Sequence, residues 1–119
     1  MLSTLEPRKN IPAALSAFAR LRRDARFVAL DVVLAGGKRW RFSPMPQDGV
    51  IWWGRVSQAE KALLYTEAQA LLFPSFFEGF GFPPLEAQSY GCPVIASNRS
   101  SLPEILGTSA LLTDPWHTD

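Results

Sequence analysis

Two carboxylates and two glycines share one short stretch of this chain. It reads Pro74-Ser75-Phe76-Phe77-Glu78-Gly79-Phe80-Gly81-Phe82-Pro83-Pro84-Leu85-Glu86, with seven residues between Glu78 and Glu86. Carboxylates accept hydrogen bonds from hydroxyl groups, so this pair suits a polyol such as a sugar. Gly79 and Gly81 carry no Cβ, which lets the backbone bend tightly and approach a ligand. A helix follows, and its free N–H groups and positive dipole end attract anions. Phosphate donors and hydroxyl acceptors in one turn point to a nucleotide-sugar site. Taken singly, Glu78 also fits an exposed loop acid, and Glu86 an acid favoured by a helix start. Phe76, Phe77, Phe80 and Phe82 fit simple packing of the turn.

These residues need a strand before them and a helix after them. Residues 70–73, Ala-Leu-Leu-Phe, supply an apolar strand, and the helix spans residues 83–90, stopped by Gly91 as a C′ glycine. Strands are also expected at residues 3–5, 30–35, 50–53, 92–96 and 109–112, where short apolar runs stop at turn residues. A helix from Asn10, its N-cap candidate, reaches about Arg23, with Pro12 tolerated in the first turn. Ser57 and Glu60 have capping-box spacing and start another helix. Ser100 or Ser101 caps a short helix ending at Leu106. Residues 40–47 read as loop, with Pro44 and Pro46 as breakers. The alternation is that of an α/β chain with a parallel sheet covered on both faces. Ligands then bind beyond the carboxyl ends of the strands. Residues 3–8, 36–37, 54–56, 75–82 and 97–101 lie at those ends, which brings Arg8 and Lys9 beside the expected phosphate site.

Composition narrows the alternatives. The chain has 119 residues, 47% of them hydrophobic, enough for one domain with a core of its own. No uncharged apolar run reaches the ~18 residues of a membrane span, and no signal-peptide pattern precedes Ser3. A lone cysteine, Cys92, excludes an internal disulfide, fits a reducing compartment and reads as a small buried residue. The net charge of +1 hides an asymmetry. Residues 1–41 carry nine Lys and Arg against three acids, and residues 42–119 three against eight. The basic half holds Arg20, Arg22, Arg23 and Arg26 at a helix end, then Lys38, Arg39 and Arg41. A solvated face is the main reading, with an anionic ligand or a membrane surface as the others. The pattern lacks the interleaved aromatics of a nucleic-acid reader.

Other phosphate and metal motifs fail. A dinucleotide fingerprint needs a third glycine where Pro84 stands, and an acid near Asn98 or Arg99. No Gly-Lys-Ser/Thr sequence completes a P-loop. His117 is the sole histidine and reads as a tail residue, so no His/Cys metal cluster exists.

The run Phe73-Pro-Ser-x-x-Glu78-Gly-Phe-Gly-x-Pro-x-Leu-Glu86-Ala, then Gly91-x-Pro-Val-Ile-Ala-Ser97 and Leu102-Pro-Glu104, resembles the group-1 (family 4) retaining glycosyltransferases of the GT-B fold. Thr4-Leu5-Glu6-Pro7-Arg8-Lys9-Asn10, Gly54-x-Val56-Ser57 and Asp114-Pro115 extend the likeness over nearly the whole chain, closest to mannosyltransferase-like members. The resemblance implies a Rossmann-like, nucleotide-sugar-binding domain over residues 1–119, the C-terminal half of a two-domain enzyme whose acceptor domain and closing helices lie elsewhere. It implies that Glu78 contacts hydroxyls of the donor sugar and acts in catalysis, and that Glu86 holds the ribose diol. Backbone around Gly79, Phe80, Gly81 and Phe82 faces the sugar and diphosphate. Lys9 neutralises the diphosphate, and Arg55 and Val56 lie near the base. The implied donor is GDP-mannose, or a UDP-hexose as the second choice, and the acceptor a glycan or lipid-linked sugar. No metal is implied, because the leaving diphosphate assists deprotonation of the acceptor on the same face. Expected surroundings are the cytoplasm, with a peripheral place at the inner face of the membrane left open. Ser3-Thr4 stands where many members have Gly-Arg, so Arg8 becomes the candidate substitute for a missing phosphate-binding arginine. The other reading is a non-catalytic nucleotide-binding or interaction domain that kept the fold.

Overall fold

Five short apolar runs form strands, and every pairing among them is parallel. The computed structural model describes residues 1–37 and 46–117. Most of the loop expected over residues 40–47, with Lys38, Arg39 and Arg41, lies outside the described residues. The strands are β1 (Val32–Ala35), β2 (Val50–Gly54), β3 (Leu71–Phe73), β4 (Val94–Ser97) and β5 (Leu111–Thr113). The helices are α1 (Ile11–Leu21), α2 (Gln58–Glu67), α3 (Phe82–Ser89) and α4 (Leu102–Leu106), with a 3-10 turn at Pro7–Lys9. This is the expected α/β architecture, a Rossmann-like arrangement of parallel strands flanked by helices.

The sheet comes in two pieces, β1–β2 and β3–β4–β5. Residues 1–5 run parallel to β1: Ser3 N–H donates to Ala35 O at 2.9 Å and Leu5 N–H to Gly37 O at 2.9 Å. Leu2 bridges Ala35 and Leu5 forms a further isolated bridge, so the expected first strand is a paired segment rather than a full strand. Gly36 makes this crossing possible. A Cβ at Gly36 would sit 1.7 Å from Ser3 O.

Apolar composition explains the burial. β1 and β4 are mostly buried along their length, as parallel strands covered on both faces should be. β2 alternates, and β5 leaves Leu111 exposed at the sheet edge. One core gathers Tyr65, Leu71, Phe73, Ala87 and Leu102 beneath β3 and β4. A second holds Leu5, Ile11 and Leu34 beside β1. Cys92 is buried, as expected of a lone cysteine. Truncating a fully buried leucine such as Leu34 to Ala costs about 2–5 kcal/mol.

The helix ends show what each capping residue does. At α2 the capping box forms: Glu60 N–H donates to Ser57 Oγ at 3.1 Å, and Ser57 N–H to Glu60 Oε1 at 3.2 Å. The Trp53 indole N–H, 2.7 Å from Glu60 Oε2, chiefly holds that carboxyl below its usual range. At α1, Asn10 occupies the N-cap position but its side chain caps nothing. Asn10 is left-handed (φ 57°) and buried, and its Nδ2 donates instead to Pro115 O at 2.8 Å. Ser101 precedes α4 without capping it, because its hydroxyl is used elsewhere. Gly91, at φ +77°, ends α3 with its N–H on Gln88 O at 3.0 Å.

Candidate functional site

Because β3, β4 and β5 are parallel, their carboxyl ends share one edge. The loops after β3 and β4 meet there. Ser97 Oγ donates to Ser75 O at 2.6 Å, and both residues are buried. Phe76 N–H donates to Arg8 O at 2.9 Å, which ties the 3-10 turn to the loop after β3.

Glu78 lies at the centre of this edge, 7% exposed. Lys9 Nζ donates to Glu78 Oε1, and Lys9 is itself only 5% exposed. The ammonium also lies 5.0 Å from the centre of the Phe73 ring. Arg8 Nη1 reaches Glu78 Oε2 at 3.3 Å and Phe77 O at 3.2 Å, while its Nε pairs with Glu6 Oε1 at 2.6 Å. Charges therefore alternate as Glu6, Arg8, Glu78, Lys9. Two charges removed from water need this close compensation, since an unpaired one would be strongly destabilising.

The backbone of Glu78 is held from the other side by the loop after β4. Ser100 is left-handed, at φ 57°. Its Oγ donates to Glu78 O at 2.7 Å and accepts from Glu78 N–H at 3.2 Å. Ser101 Oγ donates to the same carbonyl at 3.0 Å. A serine in this backbone region costs about 1–3 kcal/mol, which the two bonds to Glu78 offset. By local rules Ser100 and Ser101 are only helix-cap candidates. Nothing in their spacing signals the reach back to Glu78.

The loop from Gly79 into α3 departs from expectation in two respects. Gly81 needs its glycine: φ is +96°, and a Cβ would meet Leu102 Cδ2 at 2.9 Å. Gly79 does not, for a Cβ there would meet nothing within 4 Å. The helix start is also a poorer donor than expected, because Pro83 and Pro84 in its first turn have no N–H. The N–H groups of Gly79, Phe80, Gly81 and Phe82 donate no hydrogen bond among the described residues. They are the loop's available donors. Packing accounts for Phe76, whose ring lies 4.4 Å from that of Trp116. Phe77 is exposed, and Phe80 and Phe82 lie against each other at 4.7 Å with both rings largely open.

Glu86, in α3, has a separate set of partners. The Tyr65 hydroxyl donates to Glu86 Oε2 at 3.3 Å, and Lys61 Nζ lies 3.4 Å from the same oxygen. Tyr65 is buried and stacks on Tyr90 at 5.8 Å. Burial first, and the Glu86 charge second, push its phenol above the usual range, so it stays a donor. Oε1 of Glu86 makes no hydrogen bond among the described residues. Neither Lys61 nor Tyr65 belongs to a motif in the sequence. Their spacing of four puts them on one face of α2, which was the available signal.

Arg55 and Val56 follow β2, on the other sheet piece. Arg55 is exposed and lies over Gly37, and no described contact joins either residue to Glu78 or Glu86. Arg22 pairs with Asp48 at 3.2 Å and Arg26 with Asp24 at 2.6 Å, so these cations of the basic cluster have acidic neighbours. His117 Nδ1 rests 3.3 Å from Asp114 Oδ2, where the Trp116 N–H chiefly holds that carboxyl low.

The sequence model for glycosyl transferases group 1 matches residues 1–115, almost the whole chain. The chain belongs to this family. Proteins similar to it include the O-antigen chain mannosyltransferase B of Escherichia coli, 37% identical over 99% of this chain and 33% of that protein. The serotype-specific mannosyltransferase WbdA of Escherichia coli is 33% identical over 96% of this chain and 15% of its own length. The O-antigen chain mannosyltransferase RfbU of Salmonella typhimurium is 42% identical over 58% of this chain and 20% of its own. The chain thus spans a third or less of the length of these curated relatives. Among the described residues no helix is long and apolar enough to cross a membrane, and no three His, Cys, Asp or Glu gather as a metal-binding group.

Proposed function

We propose that this group 1 glycosyl transferase chain is the donor-binding domain of a retaining hexosyltransferase, with the acceptor domain supplied outside residues 1–119. The observation that carries this reading is the convergence of Arg8, Lys9 and buried Glu78 at one sheet edge, beside a loop with unused N–H donors. Lys9 and Arg8 neutralise the donor diphosphate, with N–H groups of residues 79–82 completing its cradle. Glu78 accepts from hydroxyls of the sugar. Glu86, steadied through Oε2 by Tyr65 and Lys61, offers Oε1 to the ribose diol. Arg55 and Val56 border the base. The leaving diphosphate takes the acceptor proton on the face it departs from, so the reaction calls for no metal.

Similarity to proteins named as O-antigen mannosyltransferases makes mannose the first choice of sugar, carried as GDP-mannose, with a UDP-hexose second. The acceptor is a glycan or a lipid-linked sugar. A cytoplasmic enzyme at the inner membrane face belongs to this reading. The test is calorimetry with GDP-mannose, UDP-glucose and UDP-galactose, followed by turnover with a lipid-linked acceptor. Binding of one sugar nucleotide, with transfer abolished by Glu78→Gln, supports it. Binding without transfer in the protein that carries both domains would instead mark a non-catalytic domain that kept the fold.

A further inference from the structure

We propose that Glu78 makes this site discriminate between a sugar-bearing nucleotide diphosphate and the bare nucleotide diphosphate that transfer leaves behind. The inference rests on the donor-site reading above. The sequence alone assigns Glu78 to the sugar and gives it no bearing on the nucleotide. The structure changes this, because Glu78 already holds both candidate phosphate cations: Lys9 on Oε1, and Arg8 at 3.3 Å from Oε2.

A diphosphate that takes Lys9 must therefore displace or share a carboxylate. Its oxygens come to lie beside Glu78, and burial of that group leaves the repulsion poorly screened. Glu78 cannot leave with its loop, because Ser100 and Ser101 hold its backbone at 2.7 and 3.0 Å. Only its side chain can turn. A sugar nucleotide resolves the conflict by exchange: Lys9 moves to phosphate, and sugar hydroxyls donate to the freed carboxylate. A bare nucleotide diphosphate offers Glu78 no donor. Its terminal phosphate also carries more negative charge, having a second ionisation near pH 6 that the ester lacks. The buried carboxylate thus favours donor over product and promotes product release.

The test titrates the purified protein with two matched pairs, GDP-mannose against GDP and UDP-glucose against UDP. Wild type is expected to bind the sugar nucleotide of the preferred pair about tenfold tighter than its bare diphosphate. Glu78→Gln is expected to invert this order, tightening the bare diphosphate about tenfold and weakening the sugar nucleotide. A variant that binds the bare diphosphate no tighter than wild type overturns the proposal and leaves the donor site standing. Failure of wild type to bind either pair overturns the donor-site reading, and this proposal with it. If Glu78→Gln does not fold, wild type alone suffices, using the methyl ester of the preferred nucleotide diphosphate. That ester matches the donor in charge but lacks sugar hydroxyls. Weaker binding than the sugar nucleotide, by about tenfold, supports the proposal. Equal binding overturns it.

Discussion

Lys9 and Glu78, 69 residues apart in the chain, form an ion pair in which both side chains are less than a tenth exposed. The pair joins the first helical turn of the chain to the loop after β3. Its energetics differ from those of a surface pair, because losing either partner strips a buried charge of its nearest counter-charge.

Stability should therefore respond non-additively. Lys9→Met should lower unfolding free energy by about 3 kcal/mol, the low end for breaking a buried pair, since Arg8 remains beside Glu78. Adding Glu78→Gln to Lys9→Met should restore most of that loss. Urea denaturation of the three variants checks the cycle, and additive losses would show that the two charges do not depend on each other.

Glu86→Gln should weaken a nucleotide diphosphate about tenfold, since hydrogen bonds to a charged acceptor contribute about 1.5–3 kcal/mol. Tyr65→Phe should weaken it about threefold to tenfold by releasing the Oε2 contact at 3.3 Å. Calorimetry with the bare diphosphate, alongside a thermal melt, measures both. Unchanged affinity in a folded Tyr65→Phe protein would remove Tyr65 as a positioning residue for Glu86.

The two loop glycines should separate stability from binding. Gly81→Ala forces a Cβ into φ +96° and against Leu102, and should destabilise by about 1–3 kcal/mol. Gly79→Ala meets nothing within 4 Å and should leave the melting temperature unchanged. The same change should weaken sugar-nucleotide binding if the ligand approaches that backbone. Differential scanning fluorimetry with and without ligand distinguishes the two outcomes.

Ser100→Ala removes the hydroxyl that both donates to and accepts from the Glu78 backbone. It should weaken sugar-nucleotide binding more than bare-diphosphate binding if Glu78 takes the sugar as proposed. Parallel titrations with the two ligands test this. Equal losses would assign Ser100 a purely structural part.

What the sequence made legible follows from short-range physics. The apolar runs at β1, β3 and β4, the Ser57–Glu60 box and the Gly91 stop depend on neighbours a few residues away. They appear within a residue or two of where they are expected. The splitting of the sheet was not legible, because residues 1–5 pair through isolated bridges rather than as a continuous strand. Nor were the partners of Asn10, Ser100 and Ser101. Each was a sound cap by local rules, yet each hydroxyl or amide finds a tertiary acceptor instead. The sequence placed Arg8, Lys9 and Glu78 at one sheet edge. That Glu78 binds the very cations assigned to phosphate depends on side-chain contacts no spacing rule supplies.

The most direct test of the donor-site account is a crystal structure of the protein with its preferred sugar nucleotide. The account predicts diphosphate oxygens within hydrogen-bond distance of Lys9 Nζ, ribose hydroxyls on Glu86, and Glu78 turned from Lys9 to the sugar. A nucleotide bound away from this edge, or one bound here with the Lys9–Glu78 pair intact and Glu86 untouched, would contradict it.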